Sequence, residues 1–215
     1  TTLPVTVKTR LGVDDFNRYD DLTRFMDTVS EAGCRTVILH ARMAYLNKYS
    51  PKENRSIPPL IYETVYRLKQ DYPETEIVIN GGVTSLEQAA EHLKFVDGVM
   101  IGREAYSNPW ILSGADALIN AELASPQKSK HIGDINRFKV VEHYLSYALK
   151  QLDDSISLAL LLRPLLGMFH GQPGGRLWRR RIGDLVVAHN KGLPAFDAIS
   201  DLLGWLEKYR NTTAN

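Results

Sequence analysis

Lys8, His40, Asn80-Gly81-Gly82 and Gly102-Arg103 stand at the ends of four short runs rich in β-branched residues. The runs are Pro4-Val-Thr-Val-Lys8-Thr-Arg10, Thr36-Val-Ile-Leu-His40-Ala-Arg42, Ile77-Val-Ile-Asn80 and Gly98-Val-Met-Ile-Gly102-Arg103. In a parallel β/α barrel the carboxyl ends of the strands form the chemical face, and the loops after the last two strands commonly hold a phosphate. Asn80-Gly81-Gly82 at a strand-to-helix turn lets backbone N–H groups close on an anion. A tight turn that needs positive φ is the plainer reading of the same glycines. Gly102-Arg103 adds a second close approach and a cation able to bind an anion through two nitrogens. Lys8, taken alone, reads as a lysine that snorkels to solvent, and His40 as a hydrogen-bonded strand-end histidine. On adjacent strands, beside two glycine turns, they read together as donors facing a phosphate-bearing ligand.

The single cysteine, Cys34, precedes the strand that ends at His40. Six extended residues place it roughly 20 Å from the Lys8/His40 face. It reads as a small buried apolar residue rather than an acid or nucleophile. No His, Cys or Asp group has metal-ligand spacing, and no Ser/His/Asp elbow is visible, so the catalytic set is expected to contain no metal.

These residues need a parallel sheet behind them. Tyr19 to Ser30 carries Leu22, Phe25, Met26 and Val29 at helical spacing, and Gly33 stops it. A polar loop, Met43 to Pro59, precedes a helix with Tyr62, Val65 and Leu68 on one face. Thr84-Ser-Leu-Glu87 has a capping-box pattern opening a helix with Leu86, Ala89, Ala90 and Leu93. The fourth strand runs from Gly98 to Ile101. Strand and helix in alternation predict an α/β fold. Four strand ends within residues 1–103 make half of an eight-stranded barrel, the C-terminal half of a (β/α)8 TIM barrel. From about residue 110 the pattern is helical, over 136–152, 155–169, 176–189 and 196–209. The polar stretch Ser125-Pro-Gln-Lys-Ser-Lys130 marks the joint, giving residues 1–124 as half-barrel and 125–215 as an all-helical domain. A half-barrel has two open sheet edges and an uncovered face, so self-association is expected of the chain alone.

The chain has 215 residues, 24% charged and 44% hydrophobic, ordinary for a folded water-soluble protein. One cysteine excludes an internal disulfide framework and suits a reducing cytoplasm. No leader peptide is visible, and the most apolar stretch, Ile156 to Phe169, is interrupted by Arg163 and Pro164, which argues against a membrane span. The Asn-x-Ser/Thr patterns at Asn54 and Asn211 then read as chance. The net charge of +1 hides an asymmetry: 13 basic against 17 acidic residues in 1–124, and 13 against 8 in 125–215. Any polyanion contact is therefore led by the back half. Lys48, Lys52 and Arg55 lie in the loop after the His40 strand. Arg176, Arg179, Arg180 and Arg181 follow Gly171-Gln-Pro-Gly-Gly175, with Trp178 among them. Solvated helix faces explain most such runs, yet arginines flanking an aromatic would also suit an RNA backbone with a stacking platform.

Read as longer motifs, these segments resemble the tRNA-dihydrouridine synthases, the A subfamily above all. The resemblance rests on Val5-Thr-Val-Lys-Thr-Arg-Leu-Gly12, His40-Ala-Arg-Met-Ala-Tyr-Leu46, Ser50-Pro-Lys-Glu-Asn-Arg55, Ile79-Asn-Gly-Gly82, Asp97-Gly-Val-Met-Ile-Gly-Arg-Glu-Ala-Tyr106 and Gly174-Gly-Arg-Leu-Trp-Arg-Arg180. It implies an FMN-dependent barrel followed by a helical tRNA-binding domain. NADPH reduces the flavin, and a D-loop uridine of the 20/20a type is reduced across C5–C6. It further implies flavin contacts from Lys8 and His40, and phosphate contacts from Asn80, Gly81, Gly82, Gly102 and Arg103. The implied tRNA contacts are Lys52, Arg55, Arg176 and Arg179, in a cytoplasmic and monomeric parent protein. In the family a cysteine on an earlier barrel loop donates the proton. Lys8 matches the fifth strand, so that cysteine is expected upstream and the chain alone is expected to be inactive. An RNA-binding fragment without flavin, or another phosphate-binding barrel, are the alternatives.

Overall fold

The computed structural model describes residues 3–122, 136–152 and 156–213. The chain folds as two compact units, Thr1–Gly102 and Arg103–Asn215. The polar stretch expected to join two domains, 125–130, lies outside the described residues.

In the first unit β1 (Thr6–Arg10), β2 (Thr36–His40), β3 (Glu76–Asn80) and β4 (Gly98–Met100) form one parallel sheet in the order β1-β2-β3-β4. Helices α1 (Tyr19–Glu31), α2 (Tyr62–Asp71) and α3 (Leu86–Leu93) make the crossovers. Strand residues alternate between two environments. Val37, Leu39, Ile77 and Ile79 are fully buried and pack with Met26 of α1 and Val65 and Leu68 of α2. Lys8, Ile38, Val78 and Gly98 pair across the other face. On that face Lys8 and Glu76 are exposed and Ile38 and Val78 only half-buried. This is a partial barrel with its helix-covered side complete.

Local chemistry sets the element ends. Gly33, at φ 91°, lets the chain leave α1. The cap of α3 is one residue later than the sequence pattern places it. Ser85 accepts from the Gln88 N–H, and Gln88 Oε1 accepts from the N–H of Thr84, the residue before the cap, so the expected capping box of Thr84 with Glu87 does not form. Lys8, expected to end its strand, is the third of five residues, and Arg10 ends it.

Behind the sheet, His92 of α3 is buried against aromatic rings of α2. Its Nδ1 shares a 2.7 Å hydrogen bond with the Tyr66 hydroxyl, and the Tyr62 ring meets it edge-on at 4.5 Å. Burial holds its pKa below the ordinary 6.5, so the folded state favours the neutral ring. As pH falls the unfolded chain takes up the proton first. This contribution is therefore complete above about pH 6.5 and is lost as the pH drops below it. Thermal melts between about pH 8 and about pH 5 should show the decline, and His92→Gln should flatten it. An unchanged slope in the variant would refute this.

The second unit is helical throughout its described residues. It comprises α4 (Arg103–Ser107), a 3₁₀ segment (Pro109–Gly114), α5 (Ala115–Glu122), α6 (Arg137–Lys150), α7 (Leu158–Leu162), a second 3₁₀ segment (Arg163–Gly167), α8 (Gly175–Asn190) and α9 (Ala195–Thr213). The single helix expected over 155–169 is instead two pieces, because Pro164 cannot continue α7. Asn136 caps α6, accepting from the Phe138 and Lys139 N–H groups. The core contains Leu145, Leu162, Phe169, Trp178, Ile182, Ile199, Leu202 and Leu206. Among the described residues no helix is long and apolar enough to cross a membrane.

Candidate functional site

Arg10, His40, Asn80 and Met100 occupy one register row at the carboxyl ends of β1 to β4. Adjacent strands lie about 4.8 Å apart, so the row presents one residue per strand at equal height. Lys8 stands two residues below Arg10 on the same face. Glu76 lies at the amino end of that face, where it accepts from the Thr36 hydroxyl at 2.6 Å. Arg10 thus stands at the carboxyl end of the face, Lys8 midway and the carboxylate at the amino end.

The turn after β3 is built for close approach. Gly81 and Gly82 have φ of 122° and 74°, conformations that L side chains rarely adopt. A Cβ on Gly81 would come within 2.8 Å of His40 Cδ2 and 2.9 Å of Leu60 Cδ2. One on Gly82 would come within 2.6 Å of Leu60 Cδ1 and 2.8 Å of the Tyr62 hydroxyl oxygen. Tyr62 donates to the Gly81 carbonyl at 2.8 Å, and Asn80 Nδ2 donates to the Met100 carbonyl at 2.8 Å. Among the described residues no protein acceptor takes the Gly81 or Gly82 N–H. The turn therefore offers two backbone donors without a protein acceptor among the described residues, which fits a phosphate group.

The electrostatics agree. Burial of its stem, and then the Arg10 charge, hold the Lys8 amine below its ordinary pKa. Arg10 is likewise lowered, by burial and then by Arg42 and Arg55. No carboxylate pairs with Lys8 among the described residues. Such a concentration of positive charge favours an anionic ligand.

Arg10 has a second role that its place in the sequence does not announce. Its Nη1 donates to the carbonyls of Met43 and Asn54, both at 2.8 Å, tying β1 to the loop after β2. That loop is ordered around Asn54. The Asn54 amide donates to the Tyr45 and Tyr49 carbonyls and accepts from the Tyr45 N–H, with its side chain buried. A Ser50–Glu53 reciprocal pair opens the turn, and the hydrogen bonds from Ser50 lower the Glu53 pKa. Lys52 and Arg55 flank this framework and are exposed, and the Lys48 amine sits 5.2 Å from the centre of the Tyr49 ring. Asn54, which the sequence offers only as part of a chance sequon, is the keystone. The Ser-x-x-Glu pattern before it is the available signal.

Arg103 is the first residue of α4, in the second unit. Arg176 and Arg179 are exposed on α8, three residues apart and so on one helix face. Arg181 is not part of that display, since it pairs with Asp201 of α9. Nor is Trp178 a stacking platform: it is fully buried, and its Nε1 donates to the Leu165 carbonyl at 2.6 Å. Helical periodicity turns Trp178 inward when Arg176 and Arg179 face out. Cys34 is buried at the amino end of β2, its Sγ 3.3 Å from the Thr36 carbonyl oxygen, as expected. No group of three His, Cys, Asp or Glu capable of holding a metal is found among the described residues.

A family model described as Dihydrouridine synthase (Dus) matches residues 1–202. The tRNA-dihydrouridine(20/20a) synthase of Shewanella oneidensis is 46% identical over 190 residues, covering 88% of this chain and 54% of that protein. The enzyme of the same name in Vibrio parahaemolyticus is 44% identical over 210 residues, 97% of this chain and 61% of that protein. The one in Yersinia pestis is 46% identical over 191 residues, 88% of this chain and 52% of that protein. The chain thus spans about half the length of the curated relatives it matches. A solved response regulator, RcsB of Salmonella typhimurium, aligns over 94% of this chain and 97% of its own with a TM-score of 0.28 and 11% identity, too weak a likeness to bear on the fold.

Proposed function

The chain belongs to the dihydrouridine synthase family, and from that premise we propose that it carries the cofactor-phosphate site and part of the RNA surface of an enzyme reducing tRNA uridine to 5,6-dihydrouridine. The observation that carries this reading is the glycine turn after β3, whose two N–H groups have no protein acceptor among the described residues, on a face that also carries Lys8 and Arg10. When bound, FMN supplies the hydride that saturates the C5–C6 bond of uridine, with NADPH as reductant. Asn80, Gly81 and Gly82 hold the cofactor phosphate, with Gly102 and Arg103 as further contacts. Lys8 provides a fixed positive charge toward the flavin ring, and His40 packs between that ring's site and the Gly81 turn. Cys34 is not the proton donor, because it is buried at the opposite end of β2. The 215-residue chain by itself is accordingly proposed to be inactive.

Lys52 and Arg55 on the Asn54 loop, with Arg176 and Arg179 on α8, engage tRNA phosphates. A uridine must leave its stack for its C5–C6 edge to be reached, so backbone contacts that fix the RNA's shape matter more than base reading. By analogy with the relatives named above, the target is uridine 20 or 20a.

The test is direct. The protein carrying this chain is purified, denatured and its released small molecule identified. The native protein is then mixed with NADPH and unmodified tRNA. FMN release, bleaching of the yellow colour by NADPH and appearance of dihydrouridine are expected. Absence of any flavin would overturn the reading and favour a flavin-free RNA-binding protein.

A further inference from the structure

We propose that Tyr62 is a positioning residue for the cofactor phosphate, acting through the peptide bond between Gly81 and Gly82; this rests on the reading of that turn as a phosphate site. The peptide is trans, since the described chain has no cis bonds. In a trans peptide the carbonyl and the next N–H point in opposite directions. The Tyr62 hydroxyl holds the Gly81 carbonyl at 2.8 Å. The Gly82 N–H must therefore point away from Tyr62, and among the described residues no protein group accepts it.

Glycine on both sides makes this control necessary. With no Cβ at either position, the peptide plane can rotate between orientations that any other residue pair would disfavour. A rotated plane would present a carbonyl oxygen, not an N–H, to an incoming anion. One hydrogen bond to the carbonyl selects the receptive orientation before the ligand arrives. Preorganising a donor in this way spares the cost of ordering it on binding.

Tyr62 is itself held in place. Its ring lies edge-on to His92 at 4.5 Å, and Leu60 fills the remaining space against both glycines. Burial pushes its phenol pKa up while Arg42 pulls it down, with burial the larger effect, so the hydroxyl keeps its proton and remains a donor. Tyr62 sits on the first turn of α2, where its aromatic character alone would mark it as core. The hydroxyl gives it the second task.

The test separates the phosphate from the ring system of the cofactor. Dissociation constants for FMN and for riboflavin, which lacks the phosphate, are measured by flavin fluorescence with the wild-type protein carrying this chain and with Tyr62→Phe. The variant keeps the ring and its contact with His92. The expected result is FMN binding weakened about 5–10-fold, the worth of one hydrogen bond, with riboflavin binding unchanged. Equal weakening for both ligands would show a merely structural role and overturn the proposal. So would a variant that retains the full preference for FMN. A wild-type protein that binds the two ligands equally would instead overturn the phosphate reading of the turn itself.

Discussion

Gly82→Ala is expected to weaken FMN binding at least about 100-fold, the loss of two charge-assisted backbone hydrogen bonds at about 1.5 kcal/mol each. Two effects converge at this residue. Its φ of 74° costs an alanine about 1–2 kcal/mol. The added Cβ would also stand 2.8 Å from the Tyr62 oxygen, so relief of that contact pulls the hydroxyl from the Gly81 carbonyl. Gly33 supplies the control. It has a similar φ of 91°, open space within 4 Å of where a Cβ would stand, and a place at the amino end of β2. Gly33→Ala should lower stability by about the same strain and leave FMN affinity untouched. If Gly82→Ala bound FMN normally, the turn would be only a turn.

Trp178→Ala should destabilise the helical unit by about 3–5 kcal/mol, read from denaturant unfolding. The side chain is fully buried and meets Phe169 and Trp205 at centroid distances of 5.0 and 5.9 Å. Its loss removes apolar contact and strands the Leu165 carbonyl in the core. Trp178→Phe isolates the second component and should cost about 1–3 kcal/mol. A domain's whole stability is about 5–15 kcal/mol, so the alanine variant is expected to be marginal at best. Weakened RNA binding in that variant would reflect unfolding, because Trp178 has no surface to offer a base. An alanine variant as stable as wild type would contradict the packing described.

Much of the first unit is legible in the sequence because period and punctuation agree there. β-branched runs of five residues, glycines at the turns and helical spacing in between admit one arrangement, a parallel sheet with helical crossovers. The glycine turn after β3 is legible for the same reason, since two adjacent glycines ending a strand have few other uses. What escapes is contact made across sequence. Arg10 bonds to Met43 and Asn54, and Tyr62 to Gly81, and neither pairing has a signature in either segment alone. Trp178 misleads because neighbouring arginines suggest a surface, whereas position on the helix decides burial. Asn54 is hidden by polarity: a buried asparagine that satisfies loop carbonyls has the composition of an exposed one.

The in-register row at the strand ends determines how substitutions there will combine. Positions two strands apart, such as Arg10 and Asn80, are separated by about 9–10 Å. At that spacing free-energy changes are close to independent, and double variants lose about the sum of what the singles lose. His40 and Gly81 are different, since a side chain on one would collide with the ring of the other. Adjacent columns, about 4.8 Å apart, couple where their groups meet: Asn80 Nδ2 bonds the Met100 carbonyl between the third and fourth strands, and the His40 ring packs against Gly81 between the second and third. Variation is therefore least constrained between alternate strands and most constrained between neighbours, where His40 and Gly81 must change together or not at all.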